Sequence, residues 1–100
     1  MTNTATIPPE LLIAASSVYG VSVSAILGRS RDRATVLARH AVIWTLRNES
    51  DLSLSEIGAA LGDRDHTTIL AAVASIEAKA VKNARIALAL ASLRGAGDAR

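Results

Sequence analysis

Apolar positions recur along this chain at helical spacing, and short polar breaks separate the runs. Pro8 and Pro9 suit the opening of a helix, because proline at the first helical position gives up no N–H that the helix needs. Glu10 to Tyr19 then predicts a short helix, with Gly20 just past its end. Ser22 can cap a second, very short helix that runs through Leu27 and stops at Gly28. Gly28 to Arg33 (GRSRDR) predicts a loop: it has no apolar period, and Gly, Ser and Asp interrupt its arginines. Ala34 to Asn48 is helical again. Leu37, Ala41 and Trp44 form one stripe, and Ala38, Val42 and Leu46 form its neighbour. A stripe this broad belongs to a helix buried on more than one side, which leaves Arg39, His40 and Arg47 to the remaining face. Asn48 to Leu52 is a polar break.

Ser53-Leu54-Ser55-Glu56 has the form of a capping box, in which the serine and the glutamate each satisfy the other's backbone N–H. Leu54, Ile57 and Leu61 give the next helix a short apolar face, and Gly62 ends it. Asp63 and Arg64 make a turn, and Asp65 is placed to cap a longer helix carrying Ile69, Val73, Ile76 and Ala80. A short helix, a tight glycine-containing turn and a longer amphipathic helix make the layout of a helix-turn-helix. Ile86 to Leu93 predicts a last helix. Its apolar face either closes the small core or offers a partner surface, and a domain of this size needs the burial. The expectation is one all-α helix-turn-helix domain of five to six helices over residues 1–94, with a frayed tail over 95–100.

Composition narrows the chemistry. Of 50 hydrophobic residues in 100, Ala supplies 20 and Leu, Ile and Val together 27; Trp44 and Tyr19 are the only aromatics. Such a core is thin and helical. The absence of Cys removes disulfides, cysteine-based zinc sites and thiol catalysis. His40 and His66 lie in different predicted helices with no third ligand, so no metal is expected. No phosphate-cradling G-x-x-x-x-G-K-[ST] string occurs, so no nucleotide, no other cofactor and no enzymatic activity are expected. No apolar run reaches the ~18 residues of a membrane span, and the N-terminus lacks the features of a signal peptide. The expectation is a cytoplasmic, nucleoid-associated protein without a membrane partner.

Charge points to nucleic acid by its distribution rather than its total. The net charge is +2, yet Gly28 to Asn48 holds five Arg (29, 31, 33, 39, 47) against one acid, Asp32. Arg outnumbers Lys nine to two, and its forked donors suit phosphate and base edges. Asp65, His66, Thr67 and Thr68 fall at the start of the second helix of the pair, the end that meets base edges in the major groove. His66 can donate or accept there. The threonines offer a hydroxyl and a methyl, the latter suited to thymine, and Asp65 can accept from cytosine or cap the helix. The arginine loop Gly28–Arg33 can reach a narrow minor groove, while Arg39 and Arg47 can meet phosphate or, for Arg39, a base.

The string Gly62-Asp63-Arg64-Asp65-His66-Thr67-Thr68-Ile69-Leu70 resembles the C-terminal DNA-binding domain of the bacterial replication initiator DnaA, whose members carry Gly-Gly-Arg-Asp-His-Thr-Thr-Val-Leu there. The likeness extends over roughly Leu11 to Glu77, through Val18-Tyr19-Gly20-Val21, Arg29-Ser30-Arg31-Asp32-Arg33, Arg39-His40-Ala41 and Ser53-Leu54-Ser55-Glu56-Ile57-Gly58. It implies that Arg31 enters the minor groove and that Arg39, Asp65, His66, Thr67 and Thr68 read bases in the major groove. It implies phosphate contacts for Arg29, Arg33, Arg47, Leu54 and Ser55, the last two partly through main-chain N–H groups. Arg64, inside the matching string, joins the phosphate set. Four positions depart from the family pattern: Asp63 replaces a second Gly, His40 a Gln, Leu37 a frequent Arg and Ala71 a His.

DnaA also carries ATPase and oligomerisation modules, and neither is present in this sequence. Free-standing domains of this kind resemble small regulators of prophages and gene-transfer agents. The leading expectation is therefore a sequence-specific double-stranded DNA binder that regulates transcription. It would act as an activator with a protein partner: RNA polymerase, a sigma-like factor or another DNA-bound protein. The alternatives are replication control at initiator boxes and a protein-interaction module that has lost DNA binding.

Overall fold

The computed structural model describes residues 7–95. Six helices follow in chain order: α1 (Pro9–Tyr19), α2 (Val23–Leu27), α3 (Arg33–Glu49), α4 (Leu54–Ala60), α5 (His66–Lys82) and α6 (Ala84–Ser92). The described residues contain no strand.

Local signals set the boundaries. Ser22 Oγ accepts from the Ala25 N–H at 3.0 Å, and the Asp32 carboxylate accepts from the Thr35 N–H at 3.4 Å. At α4 both halves of the capping box form: the Ser53 N–H donates to Glu56 Oε1 (2.8 Å) and the Glu56 N–H to Ser53 Oγ (3.0 Å). Asp65 caps α5. Helix ends otherwise leave backbone groups unpaired, and a side-chain cap of this kind is worth ~1 kcal/mol. Gly20, in the left-handed region at φ 69°, closes α1.

Helices α3 and α5 form the central pair. Helix α1 packs on α3, α4 and α6 pack on α5, and α2 bridges α1 and α3. Leu11 of α1, Ile26 of α2, Val42, Ile43 and Leu46 of α3, Ile57 of α4, and Ile69 and Ile76 of α5 are all buried. Burying an aliphatic side chain of this size contributes ~1.5–3 kcal/mol. Thr45, fully buried, returns its hydroxyl to the Ala41 carbonyl at 2.8 Å and so leaves no orphaned donor.

Two expectations need correction. Arg39 does not lie on a free face of α3. It is only 7% exposed, because α2 and the segment after it fold over that side of the helix. Toward the C-terminus, α6 begins at Ala84 rather than near Ile86. Asn83 is a single-residue elbow that ends α5 and caps α6 by accepting from the Arg85 N–H at 2.9 Å. Leu90 and Leu93 are buried, so that side of α6 closes the core. Gly95 is fastened as well, its N–H donating to Glu49 Oε1 at 2.8 Å. The rest of the expected frayed tail, residues 96–100, lies outside the described residues.

Candidate nucleic-acid interface

The turn between α4 and α5 is tight. The Arg64 N–H donates to the Gly58 carbonyl at 2.8 Å, and a Cβ placed on Gly58 would lie 2.0 Å from the Arg64 oxygen. Only glycine allows this approach. Gly62 (φ 81°) and Asp63 (φ 59°) are left-handed in succession, a demand that glycine meets freely and aspartate tolerates better than most residues. This is why a Gly-Gly pair suits the turn, and why Asp63 is admissible in its place.

The turn delivers an exposed, polar start to α5. His66, Thr67 and Thr68 all face solvent. Asp65 Oδ2 accepts from the Thr67 N–H at 3.0 Å and from the Thr67 hydroxyl. These bonds, the hydroxyl first, hold the Asp65 carboxyl below its ordinary range, so the cap is a carboxylate at neutral pH. With its proton given to Asp65, Thr67 keeps its oxygen lone pairs and its methyl for a ligand. His66 Nδ1 stands 3.8 Å from Asp65 Oδ1, with both side chains more than half exposed.

Three arginines around the crevice donate to the protein's own backbone. Arg39 donates from Nε to the Ile26 carbonyl (2.8 Å), from Nη2 to the Ala25 carbonyl (3.0 Å) and from Nη1 to the Ser30 carbonyl (3.1 Å). It thus satisfies the end of α2 and pins the basic loop. Burial, followed by the charge of Arg29, lowers its pKa from the usual value. Arg64 of the turn donates to its own Leu61 carbonyl and, at 2.6 Å, to the Gly28 carbonyl of the loop. Arg29 of the loop donates back to the Gly62 carbonyl of the turn at 3.1 Å. Two arginines, 35 positions apart by residue number, therefore clasp the loop and the turn from both directions.

The remaining sequence-predicted residues divide by position. Arg31 and Arg33 are exposed. Asp32 caps α3 between them, so Arg33 already belongs to the helix. A crevice of about 370 Å³ brings Arg29, Arg31, Arg39 and Arg64 together with Thr68 and His40. Arg33, Arg47, Leu54, Ser55, Asp65, His66 and Thr67 do not line it. Arg47 is exposed in the last turn of α3. Leu54 and Ser55 open α4, and among the described residues their N–H groups donate to no protein acceptor.

Sequence reasoning missed two features of this region. Arg39 looked like a ligand-facing residue, and its carbonyl socket is formed by segments 9–14 positions away. The apolar stripe of α3 leaves His40 on an open face. Its Nδ1 is instead buried without a partner, and burial first, then Lys79 and Arg39, lowers its pKa. Neither feature has a local signal. The described residues hold no group of three metal-ligating side chains, and no described helix is long and apolar enough to cross a membrane.

Six helices with a tight helix-turn-helix and a basic crevice define a DNA-binding domain of the helix-turn-helix class. Residues 10–76 match the bacterial dnaA protein helix-turn-helix family, and the chain belongs to that family. It is 44% identical over 79 residues to the chromosomal replication initiator protein DnaA of Herpetosiphon aurantiacus, covering 79% of this chain and 17% of that protein. It is 37% identical over 87 residues to the DnaA of Roseiflexus castenholzii, covering 87% of this chain and 18% of the relative. Against the DnaA of Thermomicrobium roseum the figures are 44% over 70 residues, 69% and 15%. The chain thus spans less than a fifth of the length of these relatives.

Proposed function

We propose that this domain reads a short double-stranded DNA site and regulates transcription from it, as an activator that works with RNA polymerase, a sigma-like factor or another DNA-bound protein. Genes of a prophage or gene-transfer agent are the targets this reading takes from the sequence resemblance. One observation carries the DNA-reading part: Thr68, at the exposed start of α5, and Arg31 of the basic loop line a single basic crevice. His66, Thr67 and Thr68, with the free oxygen of Asp65, read bases in the major groove, while Arg31 enters the adjacent minor groove. Arg33, Arg47 and the free N–H groups of Leu54 and Ser55 hold phosphates. Arg39 and Arg64 act chiefly by holding the two readers in register, and Arg29, exposed beside them, also meets phosphate. The role calls for no catalysis, nucleotide or other cofactor, and it places the protein at the nucleoid.

A second reading is occupancy of replication-origin boxes. It draws on the relatives named above, which are replication initiators. Genome-wide mapping of bound sites separates the two: promoter peaks support regulation, and origin peaks support replication control. In vitro, duplex affinity should fall steeply with salt, and Arg31→Ala should reduce the log–log slope by ~0.9 if one phosphate-type contact is lost. Affinity that stays flat across salt would overturn DNA reading in favour of a protein-interaction module.

A further inference from the structure

A second groove opens beside the basic loop, between the start of α3 and the end of α5. It encloses about 650 Å³ and is lined by Arg31, Arg33, Val36, Leu37, Lys79, Lys82, Asn83 and Ile86. Four cations form its rim and no acid is among its lining residues. Asp32, the nearest acid in sequence, is occupied in capping α3 through Thr35. The Asn83 amide oxygen caps α6. The floor is apolar: Val36, Leu37 and Ile86 are each half-buried and keep exposed area facing the groove.

We propose that this groove docks an acidic segment of a partner protein, one that carries apolar side chains on one face. The rim supplies charge complementarity, and the floor asks for something a nucleic-acid backbone lacks. A phosphate strand would satisfy the four cations but leave Val36, Leu37 and Ile86 uncovered, whereas an amphipathic acidic segment covers both. Position points the same way. Lys82 lies sixteen residues beyond His66 on α5, or ~24 Å along the helix, at the end farther from the proposed base-reading residues. Arg31 lines both this groove and the DNA-side crevice, and Arg33 is also proposed to hold phosphate, so a partner seated here touches the loop proposed to grip DNA, while Lys79 and Lys82 are the cations that belong to the groove alone. The surface serves the partner invoked under the proposed function, yet the docking stands or falls without DNA.

The test is a titration of the isotope-labelled full chain, free of DNA and at physiological salt. The probe is a short synthetic helical peptide with glutamates on one face and leucines on the other. Its control has every leucine replaced by glutamine at equal charge. Docking predicts amide shifts centred on Val36, Leu37, Lys79, Lys82 and Ile86, and about tenfold weaker binding of the control. The double variant Lys79→Gln/Lys82→Gln should also bind the peptide about tenfold more weakly, with a distinctly smaller loss of duplex affinity. The proposal is overturned if neither peptide binds, if both bind equally, or if the shifts fall elsewhere. It is also overturned if a duplex perturbs the Lys79 and Lys82 amides as strongly as those of the basic loop, which would make the groove a nucleic-acid track. Loss of duplex binding alone would bear on the DNA reading and leave this result standing.

Discussion

The two sides of the basic crevice are built on opposite terms. At the start of α5, His66, Thr67 and Thr68 stand in solvent, and the internal duties there fall mainly to Asp65 and the Thr67 hydroxyl. Around it, Arg39 and Arg29 from across the crevice and Arg64 from the turn donate six hydrogen bonds to main-chain carbonyls. The first side can change its contacts without disturbing the fold. The second holds the fold together through buried Arg39 and half-buried Arg64, while Arg29, Arg31 and Arg33 stay exposed. A tally of arginines therefore overstates the contacts available to DNA, and substitutions on the two sides should fail in different ways.

The largest effect is expected at Arg39. Arg39→Met keeps the side-chain stem but strands three carbonyls, and should cost about 3 kcal/mol in urea unfolding. Binding to preferred and random duplexes should weaken together. A stability loss near zero would erase the distinction between the two sides. His66→Ala is the mirror case: unchanged stability, with a loss of about 2 kcal/mol on the preferred duplex and little on random DNA in competition binding. Equal losses on both duplexes would remove His66 from base reading. Asp63→Gly should stabilise the domain by up to about 1 kcal/mol by relieving a left-handed aspartate, and severalfold tighter duplex binding should follow from removing an acid beside α5. The smallest effect concerns pH. Because the His40 pKa is lowered in the folded chain, the unfolded chain holds the extra proton more readily. Stability should therefore fall as pH drops below the ordinary histidine range near 6.5, and be unaffected above it. His40→Gln should flatten that fall in thermal unfolding followed from pH ~7 to ~5.

What could be read in advance followed the range of the signal. The caps at Ser22, Ser53 and Asp65 act within three residues, and each appears where the string of residues places it. The stripe through Ala38, Val42 and Leu46 likewise marks buried positions. Arg39 was misplaced because its partners depend on how α2 ends. A five-residue helix cannot satisfy its own last carbonyls, and the nearest strong donor comes from α3. The bonds from Arg64 to Gly28 and from Arg29 to Gly62 span 36 and 33 positions, beyond the reach of any local pattern. The start of α6 was missed because Asn83 serves two helices at once and leaves no separate break to mark the join.

All the acceptors in the clasp and in the Arg39 socket are backbone oxygens, those of residues 25, 26, 28, 30, 61 and 62. A peptide carbonyl survives any replacement of the side chain beside it. The loop's outward residues, Arg31 among them, can therefore drift or be redesigned while the scaffold that aims them persists. A library varying only outward positions would search new DNA words without having to solve the fold again.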